Sequence, residues 1–436
     1  MSGTVQASSG LRDRLRDWWP ALLIGLALAS LPFSRSVELF ILIMAVLGVR
    51  VLIKQGRALA WSGGGRLFSV LFLLFWVPML LSIPDAVQMD RTLLRAFSYV
   101  RFYFAGLFVL HVMAGEAARR RLLKISAFLL LFWLADALVQ LFFHRDLFGY
   151  RYLPGRLNAL FGEESKRFGY VLAVLSPLLL EFVRRHSPRW AQAAVALTLL
   201  LVVLLAGSRA AWIMLFVIFC GYFLIYLRDQ RRKALRWLGV GLVSGLAVVL
   251  AAYLFYPPFT ARMDTSLLVL KGDADSIDTA ISLRLPIWEV ALKMYAEHPV
   301  NGVGVHGFRY AYPRYALADD PFIRPGSTTG ALHTHHLWLE IAAETGSVGL
   351  LGFAAAMGLL VMRWRQTPRA VQRLALPWML VLAALLFPFN THVPTYSLLM
   401  SVLLWLTAAV YCAACGDGAV RAKTGGARAA KQAEFN

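Results

Sequence analysis

Hydrophobic residues occur along the chain in long unbroken blocks rather than in strict alternation. Blocks of about 17–22 apolar residues are long enough to cross about 30 Å of hydrocarbon as helices, whereas the strands of a membrane barrel alternate over about ten residues. The pattern predicts an all-α integral membrane protein of about twelve transmembrane helices. The predicted spans are residues 18–33, 36–53, 66–83, 93–114, 122–143, 168–184, 190–206, 210–227, 237–256, 346–362, 374–390 and 393–412.

One long polar connection separates the ninth predicted span from the tenth. Within it, residues 286–297 have the spacing of an amphipathic helix with Trp288, Leu292 and Tyr295 on one face. Pro286 suits the first turn of that helix. The segment "EHPVNGVGVHGF" follows, and its Pro and Gly residues predict turns rather than a regular element. A short helix is predicted to begin near His335 and to break at Gly346.

These patterns divide the chain into four parts. Residues 1–256 are expected to form an N-terminal transmembrane bundle of about nine helices, and residues 257–335 a large loop containing short helices. Residues 336–413 are expected to form the C-terminal transmembrane helices, followed by a basic tail at residues 414–436.

The distribution of Lys and Arg predicts the orientation of the bundle, because short cytoplasmic loops carry an excess of both. Alternate connections are basic, namely those at residues 119–124, 184–189, 228–236 and 363–373. These connections are predicted to be cytoplasmic, together with Arg12, Arg14, Arg16 and the basic tail, so both termini lie in the cytoplasm and the long loop lies outside. No cleavable signal peptide is expected, because the first apolar block follows "LRDRLRDWWP" without a small-residue cleavage site.

The connection at residues 144–167 breaks this rule, because it is predicted to face outward and is nevertheless basic. Its cationic residues are Arg145, Arg151, Arg156, Lys166 and Arg167. Two explanations stay open at this point. Asp146, Glu163 and Glu164 can neutralise part of the charge, or an anionic ligand binds at this surface.

Composition excludes two broad classes of protein. The chain of 436 residues is 59% hydrophobic, whereas soluble domains are about 45–50% apolar. Its net charge of +20 lies between apolar blocks, so no soluble basic domain is present to bind nucleic acid. The three cysteines form neither a disulfide framework nor a metal-binding array.

Two arginines on the predicted outer side are candidates for binding an anion. Arg209 follows Ser208 at the tight turn "GSRAAW", where its other explanation is an interfacial anchor. Arg284 precedes the amphipathic helix, where a guanidinium can bind a phosphate in bidentate fashion beside a helix N-terminus. Its other explanation is a salt bridge to Asp278 or Glu289.

A histidine-rich segment, "ALHTHHLWLEIAAETGSVGLL", opens the last group of helices. His335 lies on one helical face with Leu339, Ala342 and Gly346, and an imidazole at the mouth of a bundle can take a proton from an attacking hydroxyl. His333, His336, Glu340 and His306 are also close in sequence or predicted space, so a zinc site or a purely structural cluster remains an alternative.

The segment from His335 to Gly349 resembles the signature of the O-antigen ligase and polymerase superfamily. That signature is a histidine and a small polar residue, nine further positions, and Gly-x-x-Gly, matched here by His335, His336, Gly346 and Gly349. "GSRAAW" and "RLPIWEVALKMYAEHPVNGVGVHGF" resemble the same consensus in the same order, and the resemblance covers roughly residues 200–360. His336 departs from the usual Asn, Ser or Gln.

The resemblance implies a GT-C-like glycosyltransferase that needs no metal or other cofactor and inverts the anomeric centre. It would transfer O-antigen polysaccharide from undecaprenyl diphosphate to lipid A–core in lipopolysaccharide biosynthesis, on the periplasmic side of a Gram-negative inner membrane. His335 would be the base, and Arg209 and Arg284 would stabilise the departing diphosphate. The residues expected to bind substrate are Arg156, His306, Arg309, Arg314 and His336.

Three other functions remain open. An O-antigen polymerase would use the same donor with a lipid-linked glycan acceptor, and a protein O-oligosaccharyltransferase would glycosylate a Ser or Thr side chain. A lipid or glycan transporter is the non-enzyme alternative. Transporters commonly carry ionisable groups near mid-membrane, and Asp136 is the one acid that the sequence places clearly inside a predicted span.

Overall fold

A computed structural model describes the backbone of residues 3–433 except positions 34, 62, 154, 164, 325 and 392. Side chains are described for residues 16–416 with the same gaps. The predictions for Arg12, Arg14 and Glu164, and for the side chains of the tail after residue 416, therefore lie outside the described residues.

Within this part of the chain the fold is built of α-helices. The helices before the long loop are α1 (Gly3–Ala29), α2 (Val37–Gln55), α3 (Arg57–Trp61), α4 (Gly63–Leu81), α5 (Met89–Val112), α6 (Glu116–Phe143), α7 (Phe168–His186), α8 (Arg189–Leu205), α9 (Arg209–Asp229) and α10 (Arg231–Phe255). The long loop contains α11 (Pro257–Leu267), α12 (Ala274–Ala280), α13 (Leu285–Glu297) and α14 (Phe308–Tyr315). The last helices are α15 (Leu337–Gln366), α16 (Arg369–Leu385) and α17 (Leu398–Ala433).

The long helices confirm the predicted all-α membrane architecture. Each of the twelve predicted apolar spans coincides with one long helix, and the short α3 and a 3-10 helix at Ala159–Phe161 are additional elements among the described residues before residue 256. Seven of these helices are long and apolar enough to cross a membrane by length and composition. They are Gly63–Leu81, Met89–Val112, Glu116–Phe143, Arg209–Asp229, Arg231–Phe255, Leu337–Gln366 and Leu398–Gly416.

Contacts between connections show which of them share an end of the bundle. The loops after α1, α6, α8 and α16 line one cavity together with the long loop. At the opposite end, Arg185 donates to the carbonyl oxygen of Arg373 at 3.3 Å, and Arg373 pairs with Asp229 at 3.4 Å. The helices therefore alternate in direction as the charge pattern predicts.

The long loop packs as a small layer over this end of the bundle. The helix predicted at residues 286–297 is present as α13, with Pro286 in its first turn. Its buried residues are Ile287, Val290, Ala291 and Met294, whereas Leu292, on the face that it shares with Trp288 and Tyr295, is 53% exposed. The buried face packs against α14 and the beginning of α15.

Candidate active site

A cavity of about 1640 Å³ opens at the end of the bundle that carries the long loop. Cations dominate its lining, and they come from three connections, from the start of α9 and from α5. The cationic residues are Arg35, Arg91, Arg95, Arg101, Arg156, Lys166, Arg167, Arg209, Arg262, Arg284 and Arg309. The carboxylate-bearing residues in the lining are Glu38 and Glu163. The lining also includes His306, His333 and His335, so the cavity is suited to an anionic ligand.

Arg209 is held in the cavity wall by the long loop. Ser208 caps α9 by accepting a hydrogen bond from Ala211 N–H at 3.4 Å, so Arg209 occupies the first position of that helix. The Arg209 guanidinium donates to the carbonyl oxygen of Ala280 and to Ser282 Oγ. These bonds fix the guanidinium in one orientation and leave its charge without a carboxylate partner among the described residues.

Arg262 joins the long loop to two short loops. Its guanidinium donates to the carbonyl oxygen of Gly155, and a Cβ on Gly207 would lie 2.5 Å from its Nη1 atom. Gly155 and Gly207 both have positive φ, at 92° and 66°. A larger residue at Gly207 would displace the guanidinium and strain the turn. The packing against Arg262 therefore explains why the segment "GSRAAW" begins with glycine.

Arg284 is half-buried in the cavity wall and forms no ion pair within the described residues. Both partners that the sequence offered are engaged elsewhere: Asp278 accepts from Leu285 N–H at 2.8 Å, and Glu289 pairs with Lys293 at 2.8 Å. Burial, and then the neighbouring charge of Arg209, lowers the pKa of Arg284 to about 10. Burial and a neighbouring positive charge disfavour the charged guanidinium, and a nearby anion would stabilise it.

His335 lies in the cavity lining near Arg284, with its ring fixed by one hydrogen bond. Nδ1 is 2.8 Å from the carbonyl oxygen of Thr391, so Nδ1 carries the proton and Nε2 carries the lone pair. Burial lowers the pKa of His335, with a smaller contribution from the positive charge of Arg284. The φ of 51° is unusual for a histidine, and the bond to Thr391 helps to hold that conformation. The ring is therefore neutral near pH 7 and able to accept a proton.

His333 contacts His335 directly, and Glu340 lies next to His333. The backbone N–H of His335 donates to His333 Nδ1 at 3.2 Å, and the two rings lie 3.9 Å apart between centroids. His333 Nδ1 is 3.9 Å from Glu340 Oε2, and Glu340 accepts from Thr395 N–H at 3.0 Å. Among the residues with described side chains, no group of three or more His, Cys, Asp or Glu is placed to hold a metal ion.

Gly346 breaks α15, and the long loop packs against the break. Gly346 has a φ of 62°, and a Cβ there would lie 2.2 Å from the carbonyl oxygen of Val300. Segment 299–304 forms hydrogen bonds with the broken helix on both sides. Ser347 N–H donates to Pro299 O at 2.8 Å, Val348 N–H to Val300 O at 3.2 Å, Val303 N–H to Ala343 O at 2.8 Å and Gly304 N–H to Glu344 O at 3.1 Å. The break predicted at Gly346 is present and ties the loop to the helix that carries Glu340.

The basic connection at residues 144–167 is arranged around three carboxylates, the buried Asp136 and Asp146 and the partly exposed Glu163, that accept hydrogen bonds from backbone N–H groups. Asp136 accepts from the N–H groups of Leu147 and Leu160, at 2.9 and 2.8 Å. Asp146 accepts from Phe148 and Tyr150 N–H, and Glu163 accepts from Arg151 N–H at 2.7 Å. These bonds shape the loop, and neither Asp146 nor Glu163 forms an ion pair among the described residues. Arg156, Lys166 and Arg167 line the cavity.

The structure brings together six of the eight residues predicted for the site. Arg156, Arg209, Arg284, His306, Arg309 and His335 line the cavity. His336 and Arg314 do not line it. His336 instead caps α15, with Nδ1 accepting from Leu339 N–H at 3.4 Å, and its ring packs against Trp288 and Phe389. Arg314 forms an exposed ion pair with Glu297.

Five further arginines of the cavity, Arg35, Arg91, Arg95, Arg101 and Arg262, were not singled out from the sequence. Arg262 lies in α11, where the polar loop offered no pattern to distinguish it. Arg91, Arg95 and Arg101 lie on α5 at spacings of four and six residues, which place them on one face of the helix. That spacing was the signal that could have found them.

Comparison with known proteins identifies part of the chain. Residues 194–354 match the family model described as O-antigen ligase, whereas no curated protein matches the sequence significantly. The matched segment contains Arg209, Arg284, His335, Gly346 and Gly349. Over these 161 of the 436 residues, the chain is similar to the O-antigen ligase family.

Proposed function

We propose that this protein is an O-antigen ligase that transfers polysaccharide from undecaprenyl diphosphate to a hydroxyl of lipid A–core. The family match supports glycosyl transfer from a lipid-linked donor. The observation that carries the proposal is the cavity in which Arg284, without a carboxylate partner among the described residues, lies near a neutral His335. A diphosphate leaving group and an attacking hydroxyl require that pair of functions.

His335 acts as the general base in this proposal. The hydrogen bond from Nδ1 to Thr391 leaves the Nε2 lone pair free to take the proton of the acceptor hydroxyl. The acceptor oxygen then forms a bond to the anomeric carbon, and the bond between that carbon and the diphosphate oxygen breaks. A single displacement of this kind inverts the anomeric configuration.

Arg209 and Arg284 stabilise the leaving group. Undecaprenyl diphosphate gains one negative charge as the glycosidic bond breaks, and guanidinium groups already fixed in place lower the energy of that charge. Arg209 is held by Ala280 and Ser282, so little reorganisation is needed. The proposal assigns charge neutralisation to these side chains, with no metal or other cofactor, and activity in EDTA tests that assignment.

The membrane placement follows from the same chemistry. Both substrates are lipids, so the reaction must take place where their head groups meet, at one face of the bilayer. The basic connections at the opposite end of the bundle favour a cytoplasmic position for that end. We therefore place the cavity on the periplasmic side of the inner membrane, with both termini in the cytoplasm.

Reconstitution of the purified full-length chain tests the proposal. The assay contains undecaprenyl-diphosphate-linked polysaccharide, lipid A–core and EDTA, and the product is capped lipopolysaccharide. We expect His335→Ala to lose about 10²–10⁴-fold in turnover, the range of general-base catalysis. His186→Ala, a histidine at the other end of the bundle, is the matched control. Full activity in His335→Ala with loss in His333→Ala would assign the base to His333 instead.

The choice of acceptor separates the ligase from its relatives. The same enzyme preparation is supplied with lipid A–core, with undecaprenyl-diphosphate-linked repeat units, or with a pilin peptide containing Ser and Thr. A ligase uses the first acceptor. Chain extension on the second alone would identify a polymerase, and transfer to the third alone would identify a protein O-oligosaccharyltransferase.

A further inference from the structure

A row of arginines on α5 is not used by the mechanism above. Arg91, Leu94, Arg95, Ser98 and Arg101 all line the cavity, at spacings that place them on one face of the helix. α5 is apolar and long enough to span a membrane. An arginine at the centre of a span costs about 2.5–3.5 kcal/mol on insertion scales. Arg91 and Arg95 lie in the first two turns of α5, where this cost is smaller, and Arg101 lies deeper. Cations that line a cavity from one face of an apolar helix indicate a function at that face.

These arginines belong to a second group of cations, which we call the α5 group: Arg91, Arg95, Arg101 and Arg309. Arg91 and Arg309 lie over the ring of Tyr310, at 5.0 and 4.8 Å from its centroid. Arg101 pairs with Glu38 at 3.2 Å. No carboxylate forms an ion pair with Arg91, Arg95 or Arg309 in the described part of the chain, although Glu344 is an electrostatic neighbour of Arg95 and Arg309. Even with Glu38 and Glu344 ionised, the group keeps a net charge of +2.

His306 adds no charge to this group. Burial, followed by the positive charges of Arg95, Arg309 and Arg91, lowers its pKa to about 4. The imidazole is therefore neutral at pH 7, with Nε2 at 3.4 Å from the carbonyl oxygen of Tyr396. The α5 group therefore presents guanidinium groups around a neutral ring, a set of donors suited to a dianion.

The cations of the proposed leaving-group site form a separate set on other elements. We call Arg156, Arg209, Arg262 and Arg284 the α9 group. Arg262 is an electrostatic neighbour of both Arg156 and Arg209, and Arg284 is a neighbour of Arg209 and of His335. This group alone supplies four positive charges for a diphosphate diester with two negative charges. The donor therefore does not need the α5 group.

We infer that the α5 group binds a phosphate on the head group of the acceptor glycolipid while the α9 group holds the donor diphosphate. This inference rests on the proposed function, which brings two lipid substrates into one cavity. Two anions in a common cavity repel each other unless each has its own cations. The α5 group keeps a net charge of at least +2, which is enough to balance a phosphate monoester dianion.

Steady-state kinetics with two acceptors tests the inference. Reconstituted enzyme receives undecaprenyl-diphosphate-linked polysaccharide and either lipid A–core or lipid A–core treated with phosphatase. We expect Arg95→Ala and Arg91→Ala each to raise the KM for phosphorylated acceptor about 10-fold, the effect of one charge-assisted contact, with the donor KM unchanged. On the phosphatase-treated acceptor the variants should match the unmodified protein.

Controls separate binding from folding. Arg95→Lys keeps the charge and should recover part of the acceptor KM, and the melting temperature in detergent reports whether each variant folds. Lys293→Ala, which removes an exposed ion pair on α13 outside the cavity, should leave both KM values unchanged.

The results that would contradict the inference differ in what they imply. A rise in the donor KM would assign the α5 group to the donor. An equal rise in the KM for both acceptors would show that the α5 group does not recognise the phosphate. Absence of any transfer by the unmodified protein would instead refute the proposed function, and the inference that rests on it would fail as well.

Discussion

Arginines occur at both ends of the helix bundle, but their partners differ. At the end away from the cavity, the buried carboxylate of Glu181 binds Arg184 and Arg185 at 2.7 and 2.6 Å. Asp229 similarly pairs with Arg228 and Arg373. At the cavity end, Arg101 is the one lining arginine that forms an ion pair with a carboxylate, as far as the described residues extend.

The contrast separates two reasons for placing arginine in a membrane protein. At one end, charge is balanced inside the protein and serves orientation and structure. At the other, guanidinium groups are partly buried without internal counterions, an arrangement that is costly unless a ligand supplies the negative charge. The same residue type is therefore structural at one end and, in our proposal, functional at the other.

The largest expected difference in turnover is between a variant that loses an arginine at the cavity end and one that loses an arginine at the opposite end. We expect Arg284→Ala and Arg209→Ala each to reduce turnover at least about 10²-fold, because each loses a transition-state charge partner. Arg373→Ala at the opposite end should stay within about 2-fold, since exposed ion pairs contribute little. Capped lipopolysaccharide formed per minute is the measurement. Normal turnover by either cavity variant would exclude that arginine from the mechanism.

The free energy of unfolding should show the reverse order, with a larger loss from a substitution at the end away from the cavity than from one at the cavity end. Glu181→Ala leaves Arg184 and Arg185 without their buried partner and should destabilise the fold by about 2–3 kcal/mol, below the range for fully buried pairs because both arginines are partly exposed. Arg284→Ala removes no ion pair and should leave the melting temperature in detergent unchanged or higher. Glu181→Gln, which keeps the shape, is the control. A larger loss in Arg284→Ala than in Glu181→Ala would contradict the comparison.

The pH dependence of turnover should be determined by residues at the cavity end alone. The active form of His335 is neutral, so turnover falls as the pH decreases through its pKa. That pKa is already lowered by burial and by Arg284, so the acid limb should lie below the ordinary histidine value of about 6.5. Removing the charge in Arg284→Ala should raise the pKa and move the limb to higher pH, whereas Arg284→Lys should not. An identical limb in all three proteins would contradict this assignment.

The smallest expected effect is stabilisation by a free anion. Inorganic pyrophosphate at a concentration ten times its dissociation constant would stabilise the folded protein by about 1.4 kcal/mol through mass action. The melting temperature should rise by a few degrees in the unmodified protein and in Arg373→Ala, and the rise should be smaller in Arg284→Ala. An equal rise in all three would indicate binding away from the cavity.

Much of the fold could be predicted from the sequence because membrane helices have one dominant signal. An apolar block long enough to span the bilayer forms a helix almost irrespective of its neighbours, and all twelve predicted spans coincide with helices. The buried face of α13 could not be predicted in this way. That helix lies in the polar loop, where Ile287 and Met294 are buried only because α14 and α15 happen to cover them.

The site was predictable where a turn or a helix start fixed the residue. Arg209 follows a helix cap, and Arg284 precedes α13, so their positions depend on local sequence. Arg262 depends on a contact with Gly155, more than a hundred residues away. His336 lies outside the cavity lining for a related reason, because its ring packs against Trp288 and Phe389.

The break in α15 at Gly346 has a consequence for engineering. Carbonyl and amide groups exposed by the break are satisfied by segment 299–304, so that segment and the broken helix act as one hydrogen-bonded unit. A chimera that takes its outer loop from a related enzyme, with a crossover between residues 304 and 337, would separate the two halves of that unit. Crossovers placed before residue 299 and after residue 349 keep both halves from one parent, and are the exchanges that should preserve the membrane fold.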